Sequence, residues 1–415
     1  MIKRLCDNST GGLLDTPLAP YLDAYTDFLT ERRYAAHTVQ FYLACIAHFS
    51  RWASGCQLDI HQIDEDVTHR FLDDHLPHCD CPNPVHRVRK DLHAALGHLL
   101  VVLRARGVIA EPSVAMTPTD EELRRFDDYM NLARGLAPTT RCQCRRTVGR
   151  LLREQFGERP VVIAAITPED LRQFVARQSE RYRTPASLAA VVSALRGYFR
   201  FRTACGDAVH GLVGVLSHPA NWQLASLPKA LRNDEVKRLL GALDYDGLSA
   251  RRSKAIVRCA LDLGLRSSEI ANLGLDDIDW QAGTVTLRQT KSRREDVLPL
   301  PAVTGQAIAD YLQFERPETT LRAVFVRRIA PRNQPIGPDL VRKAIRQAYA
   351  RAGLPYTRSH LLRHTMASRL LEGGSALKEV ADVLRHRSLN TTLIYAKLDG
   401  RNLAAVALPW PGCVS

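Results

Sequence analysis

Six residues in the last third of this 415-residue chain have side chains that together suit chemistry on a phosphodiester: Arg266, Lys291, His360, Arg363, His386 and Tyr395. Guanidiniums offer planar pairs of donors to non-bridging oxygens, a lysine can give up a proton, and imidazoles can take or return one. Tyrosine supplies an oxygen nucleophile. None of these is informative alone. Arg266 with Glu269 reads equally as a surface ion pair, Lys291 as a solvated basic turn, and Tyr395 as half-buried packing.

The segments around them say how each would be held. Ile256–Leu263 is an apolar run that predicts a buried helix. Gly264 ends it, and Ser267 or Ser268 is placed to cap the next one, which leaves Arg266 in the turn between two helices. Residues 283–288 alternate as a strand and 296–300 as its return, which puts Lys291 at a hairpin tip with Arg293 and Arg294 beside it. His360, Arg363 and His364 share one face of a helix that runs to Leu371 and stops at Gly373-Gly374. Asn390 or Thr391 is placed to cap a short helix carrying Tyr395. The His360-x-x-x-His364 pair lacks a following glutamate, so no metal is assigned there.

In order, these stretches read GLRSSEI, KSRREDVLPL, HLLRH and LRHRSLNTTLIY. Over residues 228–400 they resemble the catalytic domain of tyrosine recombinases, the phage-integrase family. Four separated motifs in order are far more specific than any one of them. Two departures stand out: Arg385 precedes His386 where the family often has glycine, and the hairpin lysine lacks flanking glycines. The resemblance implies in-line attack by Tyr395, leaving a 3′-phosphotyrosine and a free 5′-hydroxyl. A tyrosine hydroxyl titrates at about 10 in isolation, so it needs help, and His360 is the expected proton acceptor. Arg266 and Arg363 would clamp the phosphate, Lys291 would protonate the leaving oxygen and His386 would position the diester. Bond energy is retained, so neither ATP, metal nor other cofactor is called for. The resemblance also implies double-stranded DNA with a specific recombination site as partner, a homotetramer at synapsis, and co-acting recombinases or accessory factors; a transposon-borne origin is expected from the tandem helical module described below. A type IB topoisomerase and a catalytically silent DNA-binding accessory protein of the same fold are the alternatives.

Charge agrees with a DNA partner. The chain carries a formal +13. Residues 228–415 hold 30 Lys+Arg against 19 Asp+Glu, residues 119–227 hold 16 against 11, and residues 1–118 hold 11 against 14. The basic part therefore coincides with the motifs and the segment before them. No apolar run approaches a membrane span and the N-terminus lacks a secretory stretch, so a cytoplasmic, nucleoid-associated bacterial protein without a membrane partner is expected.

The fold expected is mainly α with a small β-sheet: helical SAM-like core-binding modules followed by a mixed α+β catalytic domain. The domains are placed at 1–117, 118–227 and 228–415. The helix order of residues 18–110 recurs in residues 119–205, which suggests a tandem module. In the second copy Arg141, Arg145, Arg146, Arg196, Arg200 and Arg202 are candidate DNA contacts, joined in the hairpin by Arg293 and Arg294. Ten cysteines point to a reducing compartment. The stretch His75-Leu-Pro-His78-Cys79-Asp-Cys81, with His86, holds zinc-ligand types without a finger spacing and is read as a proline-rich loop. Cys142 and Cys144 diverge on a helix. The apolar tail at 403–408 is expected to dock on a neighbouring protomer.

Overall fold

The computed structural model describes residue 13 and residues 16–82, 85–111, 116–182, 184–220, 229–288, 295–385 and 392–398. The chain divides into two compact units, residues 113–223 and the combination of 1–112 with 224–415.

The N-terminal part contains α1 (Leu22–Glu31), α2 (Ala36–Gly55), α3 (Glu65–Arg70) and α4 (Arg89–Ala105). Asp64 starts α3 by accepting the Val67 N–H at 2.8 Å, and a π turn, Phe71–His75, continues it. Their apolar faces meet in one core around Tyr25, Phe49, Phe71 and Leu99.

Residues 113–223 contain α5 (Pro118–Asp128), α6 (Pro138–Phe156), α7 (Pro168–Arg181), α8 (Pro185–Ala204) and α9 (His210–Val215). Proline opens α5 to α8, where its missing N–H costs nothing. Thr117, Thr167 and Thr184 cap three of these starts through their hydroxyls. Glu122 is buried and receives the Tyr198 hydroxyl at 2.8 Å and Arg202 Nη1 at 3.1 Å. Arg202 also meets Asp207 at 2.8 Å. Arg202 is therefore a partly buried strut of this unit, its guanidinium serving two carboxylates.

The C-terminal part runs α10 (Asn233–Gly241), α11 (Ala250–Asp262), α12 (Ser267–Ala271), β1 (Ile278–Asp279), β2 (Thr284–Leu287), β3 (Asp296–Pro299), α13 (Ala302–Phe314), α14 (Pro338–Arg351), α15 (His360–Glu372) and α16 (Leu377–Val383). A 3-10 segment, Leu393–Leu398, follows. Helix α11 lies at the centre and packs on α13, α14 and α15 through Ile256, Val257, Cys259 and Ala260. The sheet is antiparallel in the order β1-β2-β3, with Val285 opposite Leu298 and Leu287 opposite Asp296.

Replacing Glu122 with alanine removes one of the two carboxylates of Arg202 and leaves the buried Tyr198 phenol without its acceptor. The expected cost is about 3–5 kcal/mol, read in the full chain as faster hydrogen exchange across α5 and α8 with α11 still protected. Unchanged exchange in α8 would contradict the strut role.

Candidate active site

Glycine at position 264 is required twice over. Its φ is +57°, and a Cβ there would lie 2.9 Å from Met366 Sδ and 3.2 Å from Leu384 Cδ2. The turn after α11 can thus press directly onto α15 and the end of α16. Arg266 follows as the residue that caps α12. The expected serine cap is absent: the Ser267 hydroxyl bonds to that of Ser359 at 3.0 Å, tying this turn to the start of α15. Glu269 does the capping instead. Its carboxylate accepts the Arg266 backbone N–H at 2.8 Å and Arg266 Nη1 at 2.6 Å.

The same carboxylate accepts Arg385 Nη2 at 2.8 Å. Both partners of that ion pair are almost fully enclosed, with side chains 1% and 3% exposed. Arg385 holds a φ of +54°, a left-handed conformation that favours glycine, and its Nη1 donates to the Val383 carbonyl. Burial alone would raise the Glu269 carboxyl; Arg385, Arg266 and the Arg266 N–H outweigh it and hold the group below its ordinary range.

Arg363, one turn into α15, is also buried. Its two terminal nitrogens donate to the carbonyls of Gly264 and Leu384. Burial pushes this guanidinium down to about 9, and repulsion from Arg266 and Arg385 adds to the effect; it stays charged at neutral pH. Three cations therefore gather round a single carboxylate.

Tyr395 lies beside them, 1% exposed, in an apolar cluster with Ala367, Leu371, Val380 and Leu384. Its hydroxyl is 2.5 Å from His364 Nδ1. Burial pushes the Tyr395 hydroxyl up to about 12, against the pull of Arg363. Burial also lowers His364, helped by the charges of His360 and Arg363. The shift favours the neutral imidazole, which shares one hydrogen bond with the phenol. His360, the expected acceptor, lies exposed at the first turn of α15 while its neighbour one turn on holds the tyrosine. The i, i+4 spacing put His364 on the right face, but nothing in the sequence ranked it above His360.

Lys291, Arg293, Arg294 and His386 lie outside the described residues, as does the 402–415 tail. In the 113–223 unit, Arg145, Arg146 and Arg200 are exposed. Arg196 donates to the Leu216 carbonyl at 2.9 Å, and Arg141 faces Asp127 at 3.5 Å. No described helix is long and apolar enough to cross a membrane.

Comparison with known proteins gives concordant matches. The phage integrase family model matches residues 229–401, and that of the phage integrase N-terminal SAM-like domain matches residues 123–206. A protein of Sinorhizobium fredii (strain NGR234) described as an integrase/recombinase, y4rA, is 35% identical over 401 residues, 95% of either chain. Tyrosine recombinase XerC of Pseudomonas putida (strain F1) is 36% identical over 245 residues, 58% of this chain and 79% of its own. Two solved structures share the fold. XerH recombinase on its difH substrate has a TM-score of 0.53 at 18% identity, covering 72% of this chain and 98% of that one. The Tn1549 transposon integrase with circular-intermediate DNA has a TM-score of 0.52 at 16% identity, covering 70% and 100%.

The depressed Glu269 carboxyl makes stability depend on pH with a definite sign. Its contribution is complete above the ordinary value of 4.5 and is lost as pH falls through the lower folded value. Glu269→Gln should lower the stability of the full chain by about 3–5 kcal/mol at neutral pH and flatten the acid limb of its denaturation profile. An unchanged acid limb would show that this carboxylate does not hold the arginines.

Proposed function

The chain belongs to the phage integrase family, the tyrosine recombinases, and is an enzyme that breaks and rejoins DNA at specific sites through a covalent phosphotyrosine; we propose that in this member Tyr395 is the nucleophile. One observation carries the reading: Arg266 and Arg385 pair with one carboxylate, and beside them stands Arg363, whose charge is felt by both that carboxylate and the Tyr395 hydroxyl. A scissile diester would bring the negative charge that this cluster is short of. Arg266 and Arg363 turn their remaining N–H groups to its non-bridging oxygens, and charge growing there in the transition state is met by cations held in position. Arg385 holds Glu269, and Glu269 aims Arg266.

His364 positions the phenol before attack. His360, one turn earlier on the same face, takes the proton once DNA is bound and returns it on rejoining. Lys291 protonates the departing 5′-oxygen, and His386 contacts the diester. No step in this scheme needs a metal. The substrate is double-stranded DNA carrying a specific recombination site, held as a tetramer at synapsis, with accessory factors where the element supplies them.

The modules at 1–117, 118–227 and 228–415 divide the work. The middle one, with exposed Arg145, Arg146 and Arg200, grips the DNA backbone alongside the catalytic module. The DNA substrate supports a nucleoid location, and the recurring helix order of residues 18–110 and 119–205 supports a transposon-borne origin.

Single-turnover cleavage of nicked suicide DNA tests the assignments. Arg266→Ala and Arg363→Ala should each slow adduct formation by about 100-fold or more while the variants still bind the DNA. His364→Ala should slow it by about 10-fold or more and shift the pH profile of the rate, with His364→Asn restoring part of the loss. Equal rates for wild type and the arginine variants would overturn the clamp. An unmoved pH profile in His364→Ala would leave that residue no part in positioning.

A further inference from the structure

Far along the sequence from the arginine cluster, the described residues bring together a group with the make-up of a metal site. His48 lies in the middle of α2, His75 ends the π turn after α3, and Cys79 and Cys81 lie in the loop that follows. Each offers one donor atom, and these donors lie within 4.8 Å of one another. Cys79 Sγ is 3.3 Å from His48 Nε2, and Cys81 Sγ is 3.5 Å from His75 Nε2. Around a tetrahedral ion with bonds of about 2.3 Å to sulfur and about 2.0–2.1 Å to nitrogen, a sulfur and a nitrogen lie about 3.6 Å apart. Both observed edges are close to that length.

We propose that His48, His75, Cys79 and Cys81 chelate one Zn²⁺ ion, which fastens the loop after α3 to the middle of α2. The donor set selects the ion: two thiolates and two imidazoles in a closed tetrahedron suit zinc and repel hard cations such as Ca²⁺ or Mg²⁺. With four protein donors no position is left open, so the role is structural. Binding displaces the two thiol protons to solvent, and the two thiolates balance the charge of the ion.

The surroundings suit such a site. His48 Nδ1 is 2.8 Å from the His86 carbonyl oxygen. A proton on Nδ1 donates there and leaves the Nε2 lone pair facing the cluster, the usual support for a metal-bound imidazole. Phe71 walls the site, stacked on His75 at 5.4 Å and edge-on to His48 at 5.1 Å. Arg51, one turn beyond His48, buries Nε and Nη2 with no hydrogen-bond partner among the described residues. Metal-bound thiolates are acceptors of the kind those N–H groups need. The two other histidines of the motif stay out: His78 is exposed, and the His86 ring packs on Phe41 at 4.3 Å.

The test uses the full chain, purified without chelator and analysed for zinc, then stripped and titrated with Co²⁺ alone. One zinc per chain is expected. Co²⁺ should give visible d–d bands of a tetrahedral site and a sulfur-to-cobalt charge-transfer band, both saturating at one equivalent. A chelator should lower the thermal midpoint, and added Zn²⁺ should restore it. The Cys79→Ser/Cys81→Ser chain should lose the charge-transfer band and become insensitive to chelator. If that variant does not fold, the wild-type cobalt titration decides by itself. Absence of the charge-transfer band from the wild-type chain, or its persistence in the double variant, would overturn the site and leave two thiol–imidazole hydrogen bonds in its place.

Discussion

The Glu269 carboxylate is the interaction on which the catalytic region depends. It caps α12 through the Arg266 N–H, fixes the Arg266 guanidinium and neutralises Arg385, which has almost no access to water. Breaking a buried pair of this kind costs about 3–5 kcal/mol, comparable with a large share of a domain's net stability. The carboxylate meets two of three gathered cations and no more. The charge that remains is what a phosphodiester can satisfy, so the same arrangement that stabilises the fold leaves the site prepared for an anion.

That arrangement requires several elements to come close. Gly264 allows the turn after α11 to touch α15 and α16, and its carbonyl, with that of Leu384, anchors Arg363. Tyr395 then packs on the same two helices and rests its hydroxyl on His364. Buried there, the tyrosine hydroxyl stays protonated and shielded.

Much of this was legible in the sequence. The turn around Gly264, the α15 face carrying His360, Arg363 and His364, and the strand pairing that leads to Lys291 follow from local periodicity and from residues with strong backbone preferences. The failures have physical causes. Ser267 has a good capping side chain, yet Glu269 was better placed to satisfy the same N–H and a guanidinium at once. Arg385 fills a position where the family often has glycine, and only the fold shows that a buried ion pair accompanies its left-handed backbone. The contact of His364 with Tyr395 was not legible, because His364 and His360 are equivalent by helical spacing and differ only in burial. The pairing of Arg202 with Glu122 and Asp207 was also hidden, because these residues become neighbours only on folding. His48 precedes Cys79 by 31 residues, so no spacing rule could join them. Lys291 and His386 rest on their motifs alone.

Chemical identification of the residue that becomes joined to DNA tests the central claim most directly. Adduct formed on nicked suicide DNA would be digested with trypsin and nuclease, and the nucleotide-bearing peptide sequenced by mass spectrometry. The account predicts a nucleotide linked through its 3′-phosphate to Tyr395, in the peptide that runs from Ser388 to Lys397, and no adduct from Tyr395→Phe. A nucleotide on any other peptide, or an adduct that survives in Tyr395→Phe, would contradict it.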